Sequence, residues 1–199
     1  MSDIAPIETA RLWLISLSCG LLQQMVDRRL EEVGRTAGFT VPDPCSMAGQ
    51  SWLERRIRMI EEDSAQHPWL NRAVVRKEDH QMVGNISFHH KAPDPHLLGY
   101  AEVAAELGYT IEAPYRRNGY ATEGALGMMG WAHREHGVRT LVLSISPANL
   151  PSLRMAEAMN FLKVGEHLDE VDGLEWVMRA EIDEIPPPPC ADLTRSAPG

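Results

Sequence analysis

The stretch Glu106-Leu107-Gly108-Tyr109-Thr110-Ile111-Glu112-Ala113-Pro114-Tyr115-Arg116-Arg117-Asn118-Gly119-Tyr120-Ala121-Thr122-Glu123 joins a strand to a helix through a loop suited to an anion. In the strand half, Ala105, Leu107, Tyr109 and Ile111 alternate with Glu106, Gly108, Thr110 and Glu112, so the two sets occupy opposite faces. A helix is expected from near Asn118 onward, with Ala121, Ala125, Met128 and Ala132 on one stripe and Gly137 as its stop. A helix start leaves backbone N–H groups without intrahelical partners, and its dipole favours negative charge there. Gly119 lets a ligand approach the backbone because it carries no side chain. No Gly-Lys-Ser/Thr follows, so this is not a Walker A loop, and the three-glycine rhythm of a dinucleotide fold is missing.

Working outward, strands are expected at Arg11 to Ser16, Ala73 to Lys77, Met82 to His90 and around Leu141 to Ile145. A hairpin is expected from Phe161 to Gly165 and Leu174 to Arg179, with Asp172-Gly173 in its turn. Helices are expected at Leu21 to Val33, at Ser46 to Glu62, where Leu53, Ile57 and Ile60 recur at helical spacing, and at Pro151 to Met159. Gly38, Pro42 and Pro44 mark a loop between the first two helices. Residues 1–185 read as one domain. Pro186 to Pro189 then hold an extended path, and the tail 186–199 reads as flexible.

At 199 residues and 44% hydrophobic content, the chain is long enough to bury a substantial core. A net charge of −9 argues against a nucleic-acid partner, which needs a basic footprint; it is compatible with an amine-bearing one, and solubility explains it equally well. No apolar run is long enough to span a bilayer, and Met1-Ser2-Asp3-Ile4 lacks the basic start and apolar core of a signal peptide, so no membrane association and a cytoplasmic location are expected. Cys19, Cys45 and Cys190 suggest neither a disulfide framework nor a zinc site. His89, His90 and His96 are close in sequence, but no carboxylate completes a clear ligand pattern, so no metal is expected. His133 and His136 share a helix face, and Trp52, Trp69, Trp131 and Trp176 read as core or pocket walls.

Arg116-x-x-Gly119-x-Ala121 resembles the pyrophosphate loop Gln/Arg-x-x-Gly-x-Gly/Ala of the GNAT superfamily of acyl-CoA-dependent N-acyltransferases. Val83 to His90 and Ala105 to Tyr109 look like paired strands of the branch containing the ribosomal-protein N-terminal (alanine/serine) acetyltransferases. Ile7 to Leu12 resembles that branch's first strand, and Ser146-Pro147-Ala148-Asn149-Leu150-Pro151-Ser152 with Met159-Asn160-Phe161 resembles its Asn-x-x-Ser element and helix end. The likeness runs in family order from about residue 7 to 181. It implies an α+β (three-layer α/β) fold: a mixed, mostly antiparallel sheet of about six or seven strands, splayed in the middle, with about four helices on its two faces.

The resemblance further implies an acetyl-CoA-dependent acetyltransferase acting on a primary amine, either a protein N-terminus or a small molecule, in a ternary complex. Such chemistry needs a base for the amine's proton and a donor for the departing thiolate. Glu106 is the implied base, directly or through water. Glu112 is the runner-up and reads as an exposed strand-end charge. Ser152 is the implied donor, because Ala156 stands where many relatives carry a tyrosine.

Tyr109, Thr110 and Ile111 would meet the pantetheine arm, and Asn149 would orient it. Arg116, Arg117, Asn118, Gly119, Tyr120, Ala121 and Thr122 would hold the pyrophosphate. Arg117 and Asn160 occupy places often held by glycine; an asparagine tolerates the left-handed turn required at a helix end. Residues 18–62 border the acceptor, a homodimer is compatible with the family, and the acyl group is acetyl or longer. The competing class is a non-catalytic acyl-CoA-binding module.

Overall fold

The computed structural model describes residues 4–97, 99, 103–169 and 173–185. Its strands are β1 (Ile7–Glu8), β2 (Leu12–Ser16), β3 (Arg72–Arg76), β4 (Met82–Phe88), β5 (Ala104–Ile111), β6 (Thr140–Ile145), β7 (Leu162–Asp169) and β8 (Gly173–Glu181). They form one eight-stranded sheet in the order β1-β2-β3-β4-β5-β6-β8-β7. Every neighbouring pair is antiparallel except β5 and β6. The helices are α1 (Cys19–Val26), α2 (Leu30–Ala37), α3 (Trp52–Glu62), α4 (Tyr120–His136) and α5 (Leu150–Ala158). The mixed, mostly antiparallel sheet and its helical layers are as expected; the described residues hold eight strands and five α-helices where six or seven and four were expected.

Alternation along the strands divides the core. Val74 faces a cluster containing Leu14, Ile86, Phe88 and Leu107 with Met128, Met129 and Ala132 of α4 and Leu153 of α5. Its neighbours Ala73 and Val75 face the other way, among Leu17, Leu22, Met25, Val33, Leu53, Ile57 and Ile60 from the α1–α3 side. Period-two strands between two helical layers produce this split.

The expected helix over residues 21–33 is instead α1 and α2, because Arg28 adopts φ 59° and a residue in the left-handed region cannot continue a helix. α1 starts on Ser18, whose hydroxyl accepts the Leu21 N–H. α3 begins at Trp52 rather than Ser46, since residues 46–51 make turns. The Ser46 N–H donates to Glu112 Oε1 at 2.7 Å. Glu112 is therefore a buried tether between the end of β5 and this loop, and not the exposed charge expected of it. Asn160 adopts φ 63° and donates to the Glu184 carbonyl, so the left-handed turn expected without glycine is made. Gly137, at φ 68°, ends α4 as expected. The hairpin turn at Asp172 and the tail 186–199, including Cys190, lie outside the described residues.

The β5–β6 junction fixes everything that follows. Parallel pairing covers only Ala104 with Thr140, Ala105 with Leu141 and Glu106 with Val142. Beyond Glu106 the strands part, while β5 stays paired with β4 through Ile111 and β6 with β8 through Ile145. Gly84 holds the intact side. A Cβ on it would stand 2.1 Å from the Thr110 carbonyl oxygen and 3.0 Å from the Ile111 Cα, neither of which can withdraw without breaking the ladder. Gly84→Ala is expected to destabilise the protein by about 3 kcal/mol, the upper end for overpacking a core site. Denaturant unfolding checks this, with Gly99→Ala, where no atom crowds the site, as the neutral comparison.

Candidate functional site

The parting strands leave a cleft of about 280 Å³ lined by Leu107, Gly108 and Tyr109 of β5, Leu143 to Ser146 at the end of β6, Asn149 and Ser152 at the start of α5, and Glu175 of β8. That volume lies near the lower bound for ligand pockets and suits a slender arm rather than a ring system. Strand register decides which backbone groups face it. The Glu106 carbonyl accepts from His89 and the Glu112 N–H donates to Val83, so the even-numbered residues of β5 turn their backbone groups toward β4. Leu107, Tyr109 and Ile111 turn theirs toward the opening. The Ile111 carbonyl is already taken by Arg116 Nε at 2.8 Å. Thr110 points its backbone at β4 and exposes its side chain, so of the three residues expected along the pantetheine, Tyr109 and Ile111 have the suitable orientation.

At one end of the cleft, Asn149 caps α5 by accepting the Ser152 N–H at 3.3 Å. This leaves the Ser152 hydroxyl available to the cleft it lines. The Tyr109 hydroxyl is buried without a formed hydrogen bond. Burial raises its pKa, opposed by the neighbouring Ser152 hydroxyl, so the phenol keeps its proton. A buried hydroxyl lacking a partner beside a cleft is what a sulfur or carbonyl ligand would satisfy. The sequence points to Tyr109 as a pantetheine contact through its strand edge; its hydroxyl is a further polar group at the cleft.

At the other end sits Glu106, with its carboxylate 3.4 Å from His89 Nδ1. Burial pushes its pKa up, but the His89 imidazole, the Ser144 hydroxyl and the charge of His167 outweigh that and hold it below the ordinary range. His89 Nε2 is directed over Gly108, 3.0 Å from where a Cβ on that residue would stand. Thus Gly108 leaves room for the ring. His167 Nε2 lies 3.4 Å from Glu175 on the opposite side of the opening. Two carboxylate–imidazole pairs therefore adjoin the cleft, Glu106 with His89 where the strands part and His167 with the lining residue Glu175. Period-two alternation across β4 and β5 is the signal that could have paired His89 with Glu106 from sequence.

The expected anion loop runs from the 3₁₀ turn Ala113–Tyr115 into α4. Both Arg117 (φ 64°) and Gly119 (φ 79°) adopt the left-handed region, which accounts for the glycines that relatives place there. α4 has no side-chain cap, and among the described residues the N–H groups of Arg117, Asn118, Gly119, Tyr120, Ala121 and Thr122 donate to no backbone carbonyl. The Asn118 side chain braces the loop by donating to the carbonyls of Tyr115 and Arg116. The Tyr120 side chain is buried beneath the Arg11 guanidinium, 4.9 Å from its ring centre.

Arg11, unremarked in the sequence reading, brings a further positive charge beside Gly119. Glu123 holds it there, accepting from Arg11 Nε at 2.7 Å, Arg11 N–H at 2.7 Å and the Thr9 hydroxyl at 2.6 Å. The final site-level departure is Asp94. It comes within reach of His90 and His96, supplying the carboxylate whose apparent lack had argued against a metal.

Residues 19–162 match the Acetyltransferase (GNAT) domain family. The chain belongs to the GNAT acetyltransferases. That family generally uses acetyl-CoA and an amine-bearing acceptor. It is 22% identical over 92 residues to the uncharacterised N-acetyltransferase YnaD of Bacillus subtilis; the match spans 46% of this chain and about half, 49%, of that relative. The fold is shared with the ribosomal-protein-S5-alanine acetyltransferase of Vibrio fischeri (TM-score 0.59, 15% identity, 92% of this chain and 100% of that one). It is also shared with a variant spermidine N-acetyltransferase of Vibrio cholerae (TM-score 0.58, 12% identity, 87% and 95%). No helix among the described residues is long and apolar enough to cross a membrane.

Burial pulls the Glu123 carboxyl up, but Thr9 and the Arg11 N–H and guanidinium together hold it below its ordinary range. A carboxyl depressed in the folded state contributes stability above its unfolded pKa, and the contribution disappears as pH falls through the folded value. Glu123→Gln is therefore expected to cost about 1–2 kcal/mol at neutral pH, the range for charge-assisted hydrogen bonds with one exposed partner. Urea unfolding at neutral pH and again well below the ordinary carboxylate range should show the difference from the parent shrinking.

Proposed function

We propose that this acyltransferase moves the acetyl group of acetyl-CoA directly to a primary amine, with both substrates bound together. The observation that carries this reading is the cleft formed where β5 leaves β6, with a carboxylate–imidazole pair beside the point of parting and two hydroxyls within it. The uncapped start of α4, flanked by Arg11, Arg116 and Arg117, receives the pyrophosphate through backbone N–H groups. Tyr109 and Ile111 offer backbone groups to the pantetheine arm. Donors on the parted strand lie near the thioester carbonyl oxygen, where negative charge grows during attack.

Glu106 alone is poorly matched to removing a proton from an amine, because its pKa is depressed. With His89 the assignment improves. His89 takes the amine proton on Nε2 over Gly108, while Glu106 fixes the ring through Nδ1 and stabilises the imidazolium. Ser152 donates to the departing thiolate, with the Tyr109 hydroxyl beside it. The carboxylates of Glu106 and Glu175 draw a cationic acceptor to the mouth. A protein α-amine, with a reference pKa of about 7.7–8.0 against about 10.4 for lysine, asks least of an imidazole base, so a protein N-terminus is the favoured acceptor.

His89→Gln and Glu106→Gln are each expected to lower kcat/KM by about a hundredfold or more, the lower range for general-base catalysis. A full rate in His89→Gln beside a slow Glu106→Gln would assign the proton to the carboxylate acting through water. Acetyl-CoA binding without thiol release across peptides and polyamines would mark a binding module instead.

A further inference from the structure

The segment joining β4 to β5 carries a constellation that acetyl transfer does not use. His90 follows β4, and Asp94 and His96 lie at the 3₁₀ turn Pro95–Leu97. One ring nitrogen from each histidine and a carboxylate oxygen of Asp94 lie within 4.8 Å of one another. The rings of His90 and His96 stand 5.1 Å apart.

Asp94 is the informative member, because it is 1% exposed yet its Oδ2 has no hydrogen-bond partner. Its other oxygen accepts the His96 N–H at 2.9 Å, and its own N–H donates to the Ala104 carbonyl at 3.1 Å. The turn is further pinned by Leu97, buried with Ala104, Val142 and Val177. Arg56, the nearby buried cation, donates to the His89 carbonyl, and its charge also acts on Asp94 without a hydrogen bond to the open Oδ2. A buried carboxylate oxygen left unpaired is costly unless a cation or donor meets it.

We propose that His90, Asp94 and His96 bind a zinc-class divalent metal ion, with a fourth position open to water. Two imidazoles with one carboxylate form a borderline-soft donor set that suits zinc and disfavours magnesium or calcium. Ligand atoms around a tetrahedral zinc stand roughly 3.4 Å apart, as bonds of about 2.0–2.1 Å require. The exposed His96 and half-buried His90 close the present spacing by rotating about their side-chain torsions, while Asp94 stays anchored. The ion would tie the end of β4 to the 95–97 turn, one residue from His89.

Calorimetric titration of the full chain, stripped with chelator, with zinc chloride is expected to show one equivalent bound and a raised Tm. Cobalt(II) in its place should give the visible absorption of a four-coordinate site. His96→Ala and Asp94→Asn should each weaken binding at least tenfold, the lower end for losing even an outer-shell partner of a ligand. Cys19→Ser should not weaken it. His96→Ala removes a largely exposed ring and keeps the metal-free fold, so a misfolded Asp94→Asn leaves the test intact. Absence of saturable binding, or binding that survives both ligand variants, overturns the site.

Discussion

The short parallel pairing of β5 with β6 is the constraint on which the molecule depends. A sheet that stayed zipped along this line would have no cleft, and one that never paired here would have no common frame for its two halves. Pairing at Ala104 to Glu106 and separation beyond it supply both. The separation is affordable because each parted strand keeps a full antiparallel partner on its other side, β4 for β5 and β8 for β6. The backbone groups it leaves unpaired are therefore confined to the face where a ligand can use them.

Polar groups follow from this opening. Glu106 stands at the last paired position, so its side chain sits beside the parting while its backbone remains locked, and His89 opposite it shares the same strand face. Tyr109 is one of the residues whose backbone turns inward, and its hydroxyl ends near Ser152 from α5. The anion loop lies farther along the same route from β5 into α4, and Glu123 secures it to the turn between β1 and β2. One continuous segment, residues 104–123, thus supplies one wall of the cleft, the candidate proton-handling carboxylate and the anion cradle.

Much of this was readable in the sequence because the informative patterns are local. Alternation around Glu106 gave the strand, and the Arg116-x-x-Gly119-x-Ala121 spacing gave the loop and helix start. What was missed depends on contacts distant in sequence or on single backbone torsions. Arg28 at φ 59° divides a helix that apolar periodicity alone presents as continuous. Glu112 looks exposed until its partner at Ser46, 66 residues away, is known. His89 became a candidate only through its register against β5. Asp94 joined two histidines because a turn folds it back between them. The left-handed conformation of Arg117 is signalled only by the family resemblance, which puts a glycine at its place, because the residue type itself rarely adopts it.

The aperture between β5 and β6 is set by main-chain divergence, so its width is largely indifferent to which side chains line it. Gly108, Ser144 and Glu175 line that opening, so a substitution there alters its lining while the strands that frame it stay where they are. Frame and lining are thereby separable, so the chemistry along the opening can change by single residues while the opening itself persists.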